Sequence, residues 1–293
     1  MIENTMGRTM KTQIFAIQDP EEYRRAGSTD VIELIPAPGG HPLFIRKWVL
    51  ESLVCAIASH EFIHLSGPTG SAKTSLLDAL YLAPENFRVV CERLGLPQKP
   101  LRLFPIEMAL FETPGEIFQR RSLRDGTTYD EPSPLVRSLQ QIASGKDEAC
   151  PLIWLREIGR VHSAVVQGGL LNLMTDGDII LPGGCRIAGS GIAWIADSNY
   201  QAQSDASHSL VLFDDALKRR FSINITLDYL PPELEVSVVA RLLEGRSHGS
   251  FSAEQVSGVV RIGQAIRNHR AEGRLRSVPP PTIAGYLSFF RTA

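Results

Sequence analysis

Cysteine is scarce in this chain, with 4 in 293 residues, and Cys55, Cys91, Cys150 and Cys185 fall neither in a C-x-x-C pair nor near histidines at zinc spacing. That excludes a disulfide framework and a legible zinc site, and suits free thiols in a reducing compartment. No apolar run approaches the ~18 residues a membrane helix requires, so no membrane partner is expected. Neither sign of charge dominates: 30 Lys and Arg stand against 32 Asp and Glu, a net charge of −2. The chain as a whole therefore has no attraction for nucleic acid or anionic lipid, and any such contact must come from local patches. The opening Met1-Ile2-Glu3-Asn4-Thr5 has neither a basic stretch leading into an apolar run nor a small-residue cleavage site, so no secretory leader is expected. Internal repeats, low-complexity tracts and Ser-His-Asp groupings are not legible. A hydrophobic content of 43% is enough for a substantial core, and the default expectation is a cytoplasmic globular protein of one large domain or two modest ones.

The strongest pattern is Gly67-Pro68-Thr69-Gly70-Ser71-Ala72-Lys73-Thr74, followed by Ser75 and preceded by the apolar Phe62-Ile63-His64-Leu65. It fits the P-loop pattern G-x-x-x-x-G-K-[ST] everywhere except Ala72, where the pattern asks for a glycine. Backbone N–H groups in such a loop converge on a phosphate chain, and the helix that follows adds its positive N-terminal end. Lys73 is placed to reach the β- and γ-phosphates and the Thr74 hydroxyl to sit on Mg²⁺, so ATP and Mg²⁺ are the expected cofactors.

Strand and helix signals alternate beyond that loop. Ile45 to Ala58 carries apolar residues at helical spacing. Leu101 to Ile106, Leu152 to Leu155, Ile192 to Ala196 and Ile223 to Leu227 read as strands, separated by helices at Leu135 to Ile142, Val165 to Met174 and Phe213 to Lys218 and by a hairpin from Gly177 to Gly191. This alternation predicts a parallel α/β sheet with helices on both faces. After Pro231-Pro232 the pattern becomes helical, with segments at Glu233 to Leu243, Val256 to Ile266 (opened by the capping-box sequence Ser252-Ala253-Glu254-Gln255) and Thr282 to Phe290. The expected division is an N-terminal extension over 1–40, a nucleotide-binding core over 41–230 and a small C-terminal helical lid over 231–293.

A P-loop binds phosphate, whereas hydrolysis also needs a carboxylate near the metal and a polar group on the attacking water. Leu152-Ile153-Trp154-Leu155-Arg156-Glu157 has the form of a buried strand ending in an acid, so Glu157 is the candidate base. Arginine at 156, where an aspartate usually organises the metal, places positive charge toward Mg²⁺ unless its side chain turns away. Asn199 ends another apolar strand and can bond the γ-phosphate or the attacking water. The cluster Lys218-Arg219-Arg220 either stabilises a helix C-terminus or reaches a neighbouring subunit's nucleotide. Arg267, Arg270, Arg274 and Arg276 with His269 form a basic stretch that reads as a solvated helix face or a patch for nucleic acid. Gln119-Arg120-Arg121 and Arg124 fall in an expected loop-helix insertion.

Taken in order, these motifs resemble the AAA+ ATPases, and among them the MoxR-like and dynein-related branch that includes the CbbQ, NorQ and gas-vesicle GvpN proteins. The likeness runs over residues 42 to 293. GPTGSAKT is similar to that branch's GPTGCGKT, Thr127 to Leu135 to its aromatic-then-GPL segment, and Ala216-Leu217-Lys218-Arg219-Arg220-Phe221 to its A-L-x-x-R-F. Leu173 to Gly177 with the hairpin after it resembles the approach to the branch's sensor 1 asparagine, here Asn199. The resemblance implies a ring, usually a hexamer, with ATP between subunits, Glu157 and Asn199 positioning water and Arg220 as an arginine finger. It also implies remodelling of a protein client, often with a von Willebrand factor A partner. The lid's own arginine would be Arg276. An inactive nucleotide-binding scaffold and a DNA-directed regulator are the alternatives carried forward.

Overall fold

The computed structural model describes residues 13–145, 148–161, 164–181, 184–199, 215–244, 251–272, 274–275 and 278–292. In chain order it begins with β1 (Ile14–Ala16), α1 (Pro20–Arg25), β2 (Val31–Glu33), β3 (Phe44–Arg46) and α2 (Lys47–Ala58). Then come β4 (Phe62–Gly67), α3 (Lys73–Leu82), α4 (Glu85–Leu94), β5 (Leu101–Glu107), the hairpin β6 (Gln119–Arg124) and β7 (Thr127–Pro132), α5 (Pro134–Ser144) and β8 (Cys150–Arg156). The core closes with α6 (Ala164–Leu170), the hairpin β9 (Asp178–Ile180) and β10 (Arg186–Ala188), β11 (Ala193–Asn199), α7 (Asp215–Lys218) and β12 (Ile223–Thr226). Three helices follow: α8 (Pro232–Glu244), α9 (Ala253–Ala271) and α10 (Ile283–Thr292).

Five strands form one parallel sheet in the order β12-β4-β11-β8-β5. The inner strands β8 and β11 are largely buried on both sides, as a sheet covered on both faces requires, whereas the edge strand β12 exposes Asn224 and Thr226. On one face Ile63, Leu65, Trp154, Ile195 and Ile225 pack with α2, α3 and α4. On the other, Phe62, Phe104, Ile153, Leu155 and Trp194 pack with α5 and α6. This is the α/β P-loop architecture expected for an AAA+-type core. Because the P-loop strand β4 lies between β12 and β11, the tips of those two strands flank the loop. Among the described residues no helix is long and apolar enough to cross a membrane.

Residues 13–46 are built into this body. β1 and β2 pair in parallel, β2 and β3 antiparallel, and Ile17, Ile32 and Leu34 are buried in the same cluster as α2 and α3. The buried Lys47 ammonium ties α1 to α2 by donating to the carbonyls of Tyr23 (2.9 Å) and Ala26 (2.7 Å). Val31 and Phe44 also meet Leu234, Val238, Leu242 and Leu287 of the C-terminal helices, so the segment bridges core and lid.

One local detail differs from the sequence expectations. The insertion carrying Arg120, Arg121 and Arg124 is a β-hairpin, because Gln119–Arg124 and Thr127–Pro132 pair antiparallel around Asp125-Gly126. The capping box opening α9 forms as expected: Ser252 Oγ accepts from Gln255 N (3.2 Å) and Gln255 Oε1 from Ser252 N (2.8 Å).

Candidate nucleotide site

The loop Gly67–Ala72 leaves the end of β4 and turns directly into α3 at Lys73. Glycine is required twice by contact. A Cβ at Gly67 would strike the Leu227 carbonyl oxygen and lie 2.7 Å from Ser71 Oγ. One at Gly70, whose φ is +80°, would strike the methyl of Thr282 just before α10. Ala72 takes the left-handed region, φ 69° and ψ 22°, despite its Cβ. Its methyl therefore carries a strain of about 1–2 kcal/mol that glycine would not.

Lys73 is buried, and its ammonium donates to the carbonyls of Gly67 (2.8 Å) and Pro68 (3.0 Å) and to Asn199 Oδ1 (3.2 Å). Asn199 stands opposite Gly67 in the β11–β4 register, which is why the two sequence-distant motifs meet. Burial pushes the Lys73 pKa below its ordinary value, opposed by the carboxylates of Asp197 and Glu157. Ser71 Oγ is buried without a hydrogen-bond partner among the described residues. A buried hydroxyl left unpaired costs about 1–3 kcal/mol, so the loop is an incomplete hydrogen-bonding shell. Thr74 and Ser75 are exposed at the first turn of α3. A convergent loop, an orphaned hydroxyl, a lysine and an exposed threonine together fit a phosphate chain with Mg²⁺.

Beside the loop lies a cavity of about 700 Å³, lined by Leu43 and Trp48 from the N-terminal segment and α2, Gly70 and Ser75, Tyr229, Arg267 and Thr282. Its walls are mostly apolar, as a base pocket requires. The chain beyond β12 reaches the loop from the lid and from the segment leading into it. Thr282 rests on Gly70, and the Tyr229 hydroxyl donates to the Thr69 carbonyl at 2.7 Å. Behind them the Arg267 guanidinium stacks on Tyr229 at 3.8 Å, donates to the Pro281 carbonyl and makes a two-pronged pair with Glu235 at 2.9 and 2.7 Å. Arg267 is thus an internal tie of the lid and not part of a solvated basic face. Arg276 lies outside the described residues.

At the end of β8 the arginine does turn away. Arg156 pairs with Glu107 on the neighbouring β5 and stacks on the Trp154 indole at 4.8 Å. Glu157 follows with a left-handed backbone, φ 51° and ψ 52°, and its carboxylate is held by Arg160 at 3.1 Å. Arg220 is not brought to this site. It is exposed on the turn between α7 and β12, where Ser222 bonds Glu61 and Phe62 at the start of β4. The P-loop lies at the other end of that strand, about 20 Å away for six residues.

Four participants have roles here that the sequence pattern does not assign to them. Asp197 is buried two residues before Asn199, Tyr229 and Arg267 couple lid to loop, and His64 joins β11 to β12 through Ser198 Oγ (2.8 Å) and Asn224 Oδ1 (3.2 Å). The only sequence signal for Asp197 was an acid inside an otherwise apolar strand.

No protein family model matches this chain, and no curated protein matches it. Among solved structures it is similar to one from Cytophaga hutchinsonii ATCC 33406 described as a putative ATPase, at 19% identity and a TM-score of 0.42. That likeness covers 75% of this chain and 58% of the other, so the chain spans less than two thirds of that protein's length.

Proposed function

We propose that this protein is an ATP-binding AAA+ ATPase that works as a ring, with a hexamer favoured, and uses nucleotide hydrolysis to remodel or activate a protein partner. The observation that carries the nucleotide reading is the meeting of Lys73 and Asn199 at 3.2 Å beneath a lid that touches the loop at Gly70, with the segment leading into the lid touching it at Thr69. ATP with Mg²⁺, when bound, supplies the phosphoryl group to be transferred. The loop N–H groups and Ser71 Oγ bind phosphate oxygens, Lys73 exchanges its carbonyl partners for phosphate, and Thr74 offers its hydroxyl to the metal. Asn199 and Glu157 orient water, the latter once its carboxylate leaves Arg160. Arg220, remote from its own loop and exposed, is assigned to the nucleotide of the next subunit. A client and a von Willebrand factor A partner belong to the same proposal, on the strength of the motif order.

A second reading has its own observation. With Arg156 at the end of β8 and Glu157 held by Arg160, the chain is also suited to bind ATP as a switch with little turnover. Steady-state phosphate release by the wild type, Lys73→Ala and Glu157→Gln separates the two. The motor reading expects turnover lost in both variants, with ATP binding kept in Glu157→Gln. Wild-type turnover no higher than that of Lys73→Ala, beside ATP-dependent oligomers, supports the switch and overturns the motor.

A further inference from the structure

Asp197 is a buried carboxylate whose charged neighbour is the Lys73 ammonium. It is 4% exposed, and its Oδ1 accepts from the Trp154 indole N–H at 2.7 Å and from the Glu157 backbone N–H at 3.2 Å. It makes no ion pair among the described residues. Burying a carboxylate costs several kcal/mol unless opposite charge or good donors offset it, and two neutral donors on one oxygen offset only part. Of the neighbouring cations, Arg156 is committed to Glu107 and to the face of Trp154, and Lys73 feels the Asp197 charge but donates its hydrogen bonds to Gly67, Pro68 and Asn199.

Register fixes where this carboxylate lies. Asp197 stands opposite Leu65 of β4, and the last β11–β8 pair, Ala196 with Leu155, sets it beside Arg156. Residues side by side in a parallel sheet share a face, so Asp197 lies on the face of Leu65 and Trp154, which is the face covered by α2, α3 and α4. The Lys73 ammonium reaches Asn199 two residues further along the same strand. Moreover β11 adjoins the P-loop strand directly, whereas β8 is one strand further, about 4.8 Å more. An acid on β11 is therefore on the strand that adjoins the P-loop strand, which leads through the loop into α3 and the exposed Thr74.

We propose that Asp197, and not a residue at the end of β8, is the carboxylate that positions the Mg²⁺ of a bound nucleotide opposite Thr74. Mg²⁺ takes oxygen ligands, retains several waters and uses one or two carboxylates beside substrate phosphates, which a single buried acid with one oxygen already oriented can provide. Trp154 holds that oxygen in place, and Arg156 is tolerated because Glu107 draws it to the far side of β8. The inference rests on the nucleotide reading.

The test is calorimetric ATP binding in Mg²⁺ and in EDTA by the wild type, Asp197→Asn and Arg156→Asp. Asp197→Asn is expected to lose about 10–100-fold of the affinity gained from Mg²⁺ while its EDTA affinity stays near that of the wild type. Arg156→Asp is expected to keep the wild-type gain. An Asp197→Asn protein with the full Mg²⁺ gain overturns the inference. Should that variant fail to fold, Fe²⁺ in place of Mg²⁺ on the wild-type ATP complex, with peroxide and ascorbate, maps backbone cuts near the metal. Cuts at 196–198 and at the start of α3 are expected, and cuts confined to α3 and 156–157 overturn the assignment. Absence of wild-type ATP binding in both conditions would instead sink the nucleotide reading itself.

Discussion

The Lys73 ammonium and the Asn199 amide oxygen lie 3.2 Å apart, joining the loop after β4 to the tip of β11 across 126 residues of sequence. With the carbonyls of Gly67 and Pro68 completing the ammonium's shell, the loop holds its own lysine in the place where phosphate oxygens compete for it. Nucleotide binding must therefore exchange these bonds, and Asn199 is freed to face the nucleotide when Lys73 leaves it.

Ala72 is the strained point of the loop. Ala72→Gly removes a Cβ held at φ 69°, a gain of about 1–2 kcal/mol that is partly cancelled by the greater freedom of glycine in the unfolded chain. A net stabilisation of about 0.5–1 kcal/mol is expected in urea unfolding. Equal or lower stability would show that the left-handed turn is not adopted.

The lid depends on a pair that is almost fully enclosed, with side-chain exposures of 9% for Arg267 and 2% for Glu235. Arg267→Ala leaves a buried carboxylate alone and should destabilise the protein by about 3–5 kcal/mol, whereas replacing both by apolar residues of similar volume should cost much less. Chemical unfolding of the two variants measures the difference. Equal losses would mean that packing against Tyr229, and not the charge pair, dominates.

Burial holds the His64 pKa below 6.5, against the opposing effects of its Asn224 bond and the Asp197 carboxylate, with Lys218 adding to the lowering. The unfolded chain then takes up a proton near pH 6.5 that the folded chain still refuses. Stability is expected to fall as pH drops from about 6.5 toward the folded value and to level off below it. His60, lowered by burial and by Lys99, adds a contribution of the same sign. His64→Gln should flatten this part of the stability profile between pH 7 and 5, and an unchanged slope would remove His64 as a cause.

The core was legible because its signals were local. Each central strand is an apolar run, and the P-loop, Glu157 and Asn199 sit at strand ends where polar residues break those runs. The β6–β7 hairpin was hidden by a sequence of mostly exposed charged residues without alternation, and the three short strands β1 to β3 by lengths of only three residues. Asp197 was passed over because its meaning depends on register. Only the β11 pairing with β4 and β8 sets it beside Arg156 and on the face of α3. Arg267 looked like one of several surface arginines until Glu235, 32 positions away, was seen to enclose it.

The central claim is that the loop around Lys73 is a nucleotide site closed by the helical lid. Equilibrium titration of a fluorescent ATP analogue in Mg²⁺, with the wild type and Lys73→Ala compared, tests it most directly. Saturable binding by the wild type and a loss of about tenfold or more in the variant are expected, as for removal of a charged hydrogen-bond donor worth about 1.5–3 kcal/mol. Equal affinities, or no binding by either protein, would contradict the assignment.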